Sequence, residues 1–468
     1  MTLDPLILSR LQFVWVIGWL ILLPAFSIGL ASFIAAMVGA HIVTGREVLF
    51  RISSFWIKIF SVAFGMGVVS GIVMPFQLGT NWSRYSAATA NILAPLFAYE
   101  GIVAFFLEAG FLGVLLFGRK LVPRWAHFVA ALMVALGTLF SAFWILSANS
   151  WMQTPAGYAV NADGQFVAAD WLKVIFNPSF PYRFAHMVCA AYITTSFVVL
   201  SVGAWLIRKG QFAAEGRLMF SITLWLLLVL VPLQIFLGDQ HGLNTLEHQP
   251  AKLAAIEADF KTETPTPLNL FAIPDQNAGT NRFVIAIPRL GSLILTHSWN
   301  GTVKGLDQFP RQDWPPVIFP FFAFRIMVGV GILMLALVIW ANWMRRGDRL
   351  FHSPRLLRLF EFAAPLGFIA VLAGWITTET GRQPWTVYGL LRTADSVSPS
   401  LTGWNVLLSL VGYIIAYAII FPAGWIVMSR IVRRGPEAMI AEDEAVESGR
   451  PGHPVTELPA LRPGGTTQ

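Results

Sequence analysis

Apolar runs of about 20 residues or more, each long enough to cross a bilayer as a helix, recur along the chain and are separated by polar stretches. They begin near Leu11, Phe55, Leu93, Ala126, Phe184, Leu218, Ile318, Ala363 and Leu401. The pattern predicts an all-α integral membrane protein, a bundle of about nine transmembrane helices. Residues 1–237 hold the first six helices and 317–434 the last three, with the longest hydrophilic segment, 238–316, between them. Residues 435–468, rich in Pro, Gly, Glu and Thr, read as a disordered tail. In the second run Gly65, Gly67, Ser70 and Gly71 predict close helix contact. FQLGTNWSRYS (Phe76 to Ser86) and SANSWMQTPAG (Ser147 to Gly157) read as polar, aromatic outer loops. No internal repeat suggests the inverted halves of a transporter.

Composition agrees: 56% of the 468 residues are hydrophobic and only 12% charged, too few to cover a soluble globule. The net charge of +7 would suit a nucleic-acid partner, but the basic residues fall in alternate loops. Arg46 and Arg51, Arg119, Lys120 and Arg124, Arg208, Lys209 and Arg217, Arg345 to Arg358, and Arg430 to Arg434 follow every second span. The positive-inside rule makes those loops cytoplasmic. It places the N-terminus and the 238–316 loop outside and the C-terminus inside, and it leaves nucleic acid without support. Met1 to Arg10 has no basic leader, so the first run is expected to stay as a span. The single cysteine, Cys189, lies in an apolar run and permits no disulfide or cysteine-held cluster within the chain.

Charge inside a membrane is costly and marks function. Glu100 and Glu108 share the third span; eight residues put them about 80° apart around a helix and about 12 Å apart along it. Glu379 ends the eighth span, where GWITTETGRQPW also brings Arg382 and Trp385, a pattern that anchoring at a membrane surface would equally explain. His186 lies near the outer end of the fifth span, and Arg325 and Met327 open the seventh. In the outer segment, AKLAAIEADF carries Lys252 and Glu257, for which a solvated amphipathic face is the plain alternative. Imidazole with thioether is a pair that ligates haem iron in electron transfer, arginine can neutralise haem propionates, and carboxylates can carry protons. The set favours a redox protein over an acid-lined transporter, which would hold no haem.

Several blocks together resemble subunit I of cytochrome bd-type quinol oxidases, especially the cyanide-insensitive branch: FQLGTNW, YEGIVAFFLEAGF, SAFWILSANSWMQTPAG, NPSFPYRFAHMV, KLAAIEA, FAFRIMV and GRQPW. The resemblance spans nearly the whole chain. It implies that His186 and Met327 are the axial ligands of a low-spin haem b, with Arg325 beside it. It implies that Glu379, with Arg382, serves a high-spin haem, and that Glu100 and Glu108 lie near the haem pair and its proton path. Lys252 and Glu257 match the quinol-site pair of the outward-facing Q loop, here in its short form. The implied cofactors are haem b (low-spin) and a high-spin pair of haem b with haem d or a second haem b. The implied partners are quinol, O2 and a second membrane subunit, and the place is a bacterial inner membrane. The implied enzyme is a quinol:oxygen oxidoreductase that takes up protons from inside, releases quinol protons outside and so builds a potential without pumping.

One position departs from the family. Ungapped alignment from SRLQF through Pro24 and Gly29 puts Leu20 where members carry a haem-ligating histidine. Leucine cannot bind iron, and His41 lies about 30 Å away along the helix. The high-spin haem there takes another ligand, or the oxygen site is altered or lost. The corresponding alternative is a paralogue that keeps the low-spin haem and acts in electron transfer or regulation.

Overall fold

The computed structural model describes residues 3–447, with side chains except those of 103–105 and 437–447. Nine helices among the described residues are long and apolar enough to cross a membrane. Helix α1 is Pro5–Thr44 and α2 Glu47–Thr80. The third span joins α3 (Ser83–Tyr99) to α4 (Phe105–Phe117) through a wide i→i+5 turn at Glu100–Ala104. Helix α5 is Arg124–Gln153, followed by the hairpin β1 (Tyr158–Val160) and β2 (Phe166–Ala168) and the short α6 (Trp171–Ile175). Helices α7 (Phe180–Lys209) and α8 (Ala213–His248) form the next two spans. The outer segment folds as α9 (Pro250–Glu257), the antiparallel hairpin β3 (Leu268–Asp275) and β4 (Thr280–Ile287), and α10 (Leu290–Thr296). Helix α11 is Ile318–Met344; the eighth span is α12 (Pro354–Glu361) broken from α13 (Pro365–Gly381) before Pro365. A small hairpin, β5 (Trp385–Val387) and β6 (Leu391–Arg392), leads to α14 (Gly403–Glu447).

Local chemistry sets the helix ends. The Asp4 side chain accepts the Leu6 amide at 2.8 Å, Pro5 supplies the first-turn φ, and Gly45 closes α1 in the left-handed region at φ 66°. Where no such breaker stands, helices overrun the polar stretches. Phe76 to Thr80 belong to α2, and only Asn81 and Trp82 separate it from α3, so FQLGTNWSRYS is a turn between helices rather than a loop. Ser147 to Gln153 are the last turns of α5, which reaches almost to Pro155. Likewise α8 continues past Gly238 to His248 and stops before Pro250.

The tail expected to be disordered from Gly435 stays helical as far as Glu447 after a non-helical break at Gly435. Its Ala, Glu and Met residues are good helix formers. Residues 448–468 lie outside the described residues.

Helix α1 packs on α2, α5, α7, α13 and α14 and is the central post. One core joins Leu30, Ile34, Trp56, Phe60, Val134 and Val199. A second, on the other side of α7, joins Phe197, Phe220, Leu224, Val338 and Phe360. Lipid gives helices no hydrophobic reason to associate, so close approach at small residues carries the packing. The tight approaches are not at the glycines of α2. A methyl group on Gly65 would meet nothing within 4 Å, and on Gly71 only the Leu20 side chain at 3.7 Å. On Gly203 of α7 it would lie 2.9 Å from the Gly216 carbonyl of α8, and on Gly216 the same distance from that of Gly203.

Candidate functional site

His186 and Met327 stand on α7 and α11, and α8 and α13 each pack against both of those helices. Small residues flank the two side chains. A methyl on Gly238 of α8 would come within 3.3 Å of the His186 ring, and one on Gly374 of α13 within 2.9 Å of the Met327 sulfur. The Gln234 side-chain nitrogen lies 3.3 Å from His186 Nε2, while His186 Nδ1 and Gln234 Oε1 are buried without a hydrogen-bond partner among the described residues. A ring nitrogen so placed fits a ligand that the protein itself does not supply. The His241 ring meets that of His186 edge-on at 5.7 Å.

The outer segment is pinned to the bundle through α9. Ala251 to Glu257 are all buried, which overturns the solvated-face reading. Five residues apart means about 140° apart around the helix, so Lys252 and Glu257 face different partners. Glu257 Oε2 takes Arg325 Nη2 at 2.7 Å, and Arg325 also donates to the carbonyls of Ile256 and Asn269 and lies over the Phe321 ring. Arg325 is therefore engaged by the outer loop, two residues along α11 from Met327. Asp259, just past the left-handed Ala258, is buried as well; Oδ1 accepts from Asn269 at 3.2 Å and Oδ2 has no partner among the described residues. Burial, with Glu257 adding to it against Arg325, holds the Asp259 carboxyl well above the carboxylate range.

Lys252 points the other way, onto α13. Its stem lies where a methyl on Gly381 would be, 2.9 Å from Cγ. Nζ donates to Gln153 Oε1 at 3.0 Å and Gln249 Oε1 at 3.2 Å. Burial foremost, then the cationic Arg183 and Arg382 against the opposing pull of Glu379, holds its amine well below the usual lysine value.

Glu379 anchors the neighbouring cluster. Oε1 accepts from Asn149 at 3.1 Å and Gln153 at 3.2 Å, and Oε2 pairs with Arg382. Arg183 donates to Asn149 Oδ1 and lies over the Trp375 ring at 5.9 Å. Arg382 Nε and Nη1 and Arg183 Nε are buried donors without a partner among the described residues. Two arginines with unused N–H groups beside an already paired carboxylate fit an additional anionic group, and haem propionates have that chemistry.

Along α5 the acids form a ladder. Asn149 and Gln153 hold Glu379 at its end; further in, Ser141 donates to Glu100 Oε1 at 2.8 Å. A methyl on Gly137, one turn beyond, would lie 2.8 Å from Glu108 Cγ. Glu100 and Glu108 thus both face α5 at different depths, as their spacing predicts. Leu20 faces α2 at Gly71, and the adjacent Trp19 stacks on Phe421 of α14 at 4.1 Å. An apolar side chain there supplies no donor to iron.

The residues that sequence reasoning passed over are Asn149, Gln153, Arg183, Gln249 and Asp259. The first three lie inside blocks that carry the resemblance, but their polar partners are up to 230 residues away. Comparison with known proteins identifies the family of the chain. The family model described as cytochrome bd terminal oxidase subunit I matches residues 8–436. The chain is 32% identical to the cytochrome bd ubiquinol oxidase subunit 1 of Bacillus subtilis, covering 92% of this chain and 94% of the relative. It is 30% identical to the cytochrome bd-II ubiquinol oxidase subunit 1 of Escherichia coli, covering 95% and 100%. The solved structure of the bd oxidase from Geobacillus thermodenitrificans superposes with a TM-score of 0.85 at 27% identity, covering 92% of this chain and 99% of that one.

Proposed function

The chain belongs to the cytochrome bd terminal oxidase subunit I family, and from that premise we propose that it is the quinol-oxidising, haem-carrying subunit of a terminal oxidase. The observation that carries the reading is the burial of Lys252 and Glu257 on one helix pinned between two spans. Glu257 is tied to Arg325, two residues from Met327, and Lys252 lies on Gly381, two residues from Glu379.

A quinol loses two protons and two electrons on becoming quinone. The Lys252 amine, its charge disfavoured by burial, accepts the proton of one hydroxyl, and Glu257, held by Arg325, orients the other. His186 and Met327 would hold the low-spin haem b; Arg183 and Arg382 would hold propionates of a high-spin haem beside Glu379. The haems, when bound, supply one-electron transfer and the iron at which O2 is reduced to water. Glu100 and Glu108, on the third span where it packs against α5, carry protons inward from the cytoplasmic side. Quinol protons leave outward, with the N-terminus outside, the C-terminus cytoplasmic and a second membrane subunit completing the complex in a bacterial inner membrane.

Leu20 favours a second reading. With no ligand from α1, electrons reach the low-spin haem but oxygen is not reduced, and the chain acts in electron transfer or regulation. A reduced-minus-oxidised spectrum of the purified complex, taken with quinol-driven oxygen uptake, tests both. Uptake with a high-spin haem signature supports the oxidase; a low-spin signature without uptake supports the second reading; absence of haem refutes both.

A further inference from the structure

Gln153 is the last residue of α5 and is completely buried. Its side-chain amide spans two sites at once. Oε1 accepts from Lys252 Nζ at 3.0 Å and Gln249 Nε2 at 3.2 Å, while Nε2 donates to Glu379 Oε1 at 3.2 Å. Its orientation has one chemical solution: turned over, the amide would set its NH2 against two donors and its oxygen against a carboxylate. The main chain is fixed as well, because the Gln153 carbonyl accepts from Gln249 Nε2 at 3.0 Å.

The neighbours do not do the same. Asn149 reaches Glu379 but turns its oxygen to Arg183, and Gln249 reaches Lys252 but not Glu379. Among the described residues, Gln153 is the side chain bonded to both Lys252 and Glu379. We propose that Gln153 is a positioning residue that couples the quinol-contacting amine of Lys252 to the carboxylate of Glu379, so that occupancy of the quinol site is felt at the high-spin haem. The proposal rests on the reading of Lys252 and Glu379 given above. A buried polar chain of this kind has little slack. A quinol head group that draws Lys252 Nζ away weakens its bond to Gln153 Oε1, and the amide in turn shifts against Glu379.

The test uses the complete oxidase and heptyl-hydroxyquinoline N-oxide, a quinol analogue that donates no electrons. In the parent protein, adding the analogue to the reduced complex shifts the high-spin haem absorption. Gln153→Met, similar in length and apolar, abolishes that shift and raises the quinol KM about tenfold, within the usual range of coupling between sites. Gln153→Asn keeps the amide but is one methylene too short to reach both Lys252 and Glu379, and it too abolishes the shift. The low-spin haem band reports folding in each variant, and Gln153→Asn decides the matter if Gln153→Met loses that band. A shift that persists in Gln153→Asn, or a parent that binds the analogue and shows none, overturns the coupling. A parent with no high-spin haem or no quinol oxidation instead refutes the functional reading beneath it.

Discussion

The outer-loop side and the first-helix side of the bundle differ in what they bury: charged and amide side chains around α9, apolar side chains around Leu20. On the loop side each chemical group has a defined companion. Glu257 has Arg325, Lys252 has Gln153, and His186 has Gln234 at Nε2, with Nδ1 left without a partner among the described residues. On the first-helix side, Leu20 faces Gly71 and Trp19 stacks on Phe421, so α1 presents carbon where the resemblance implies a ligand. On the proposed function, the electron-entry site keeps its groups while the one that α1 offers to the other haem is changed. Glu379 takes its hydrogen-bond and ion-pair partners from α5 and its own end of α13 rather than from α1.

The largest effect that would break the comparison is at the axial pair. His186→Ala and Met327→Leu each remove the low-spin haem spectrum, read by reduced-minus-oxidised difference; an unchanged spectrum in both refutes the ligand assignment. Lys252→Ala comes next. Loss of a proton acceptor lowers kcat/KM for quinol by about 100-fold and leaves both haem spectra in place, so normal quinol kinetics would remove Lys252 from the site.

Arg325→Met strands the Glu257 carboxylate and costs about 3 kcal/mol of loop docking. Hydrogen exchange across residues 250–290 reports it, and unchanged protection would mean that the ion pair does not hold the loop. The smallest effect concerns Asp259. Its carboxyl is held above the ordinary 3.8, so the folded loop binds a proton that the undocked loop releases, and docking weakens as pH rises from about 4 towards the raised value. Asp259→Asn should flatten that decline and gain about 1 kcal/mol of docking at pH 8; an equally steep decline would assign it to another group. Lys252 works in the opposite sense, since its lowered value favours docking as pH rises towards 10.5.

Span number was legible because a bilayer demands about 20 apolar residues whatever the fold. Span ends were less so. Gln77 and Gln153 look like loop residues by polarity, yet both sit on helices that stop only near a breaker or a turn. Gly65 and Gly71 suggested tight packing from composition, but whether a glycine faces a neighbour depends on rotation about the helix axis, which the glycines themselves do not encode. The pairs Lys252–Gln153 and Glu379–Asn149 join segments far apart in the chain, so no spacing rule could have found them. Arg325 lies next to Met327 in sequence, but its side chain belongs to the loop because Glu257 and the Asn269 carbonyl reach it there.

Anaerobic addition of quinol to the oxidised complex tests most directly whether the electron-entry side is whole. The low-spin haem should be reduced in the parent and in Leu20→His alike, and its reduction should be slowed about 100-fold in Lys252→Ala. A low-spin haem that quinol does not reduce, or that it reduces at the parent rate in Lys252→Ala, would contradict the assignment of quinol oxidation to the Lys252–Glu257 loop.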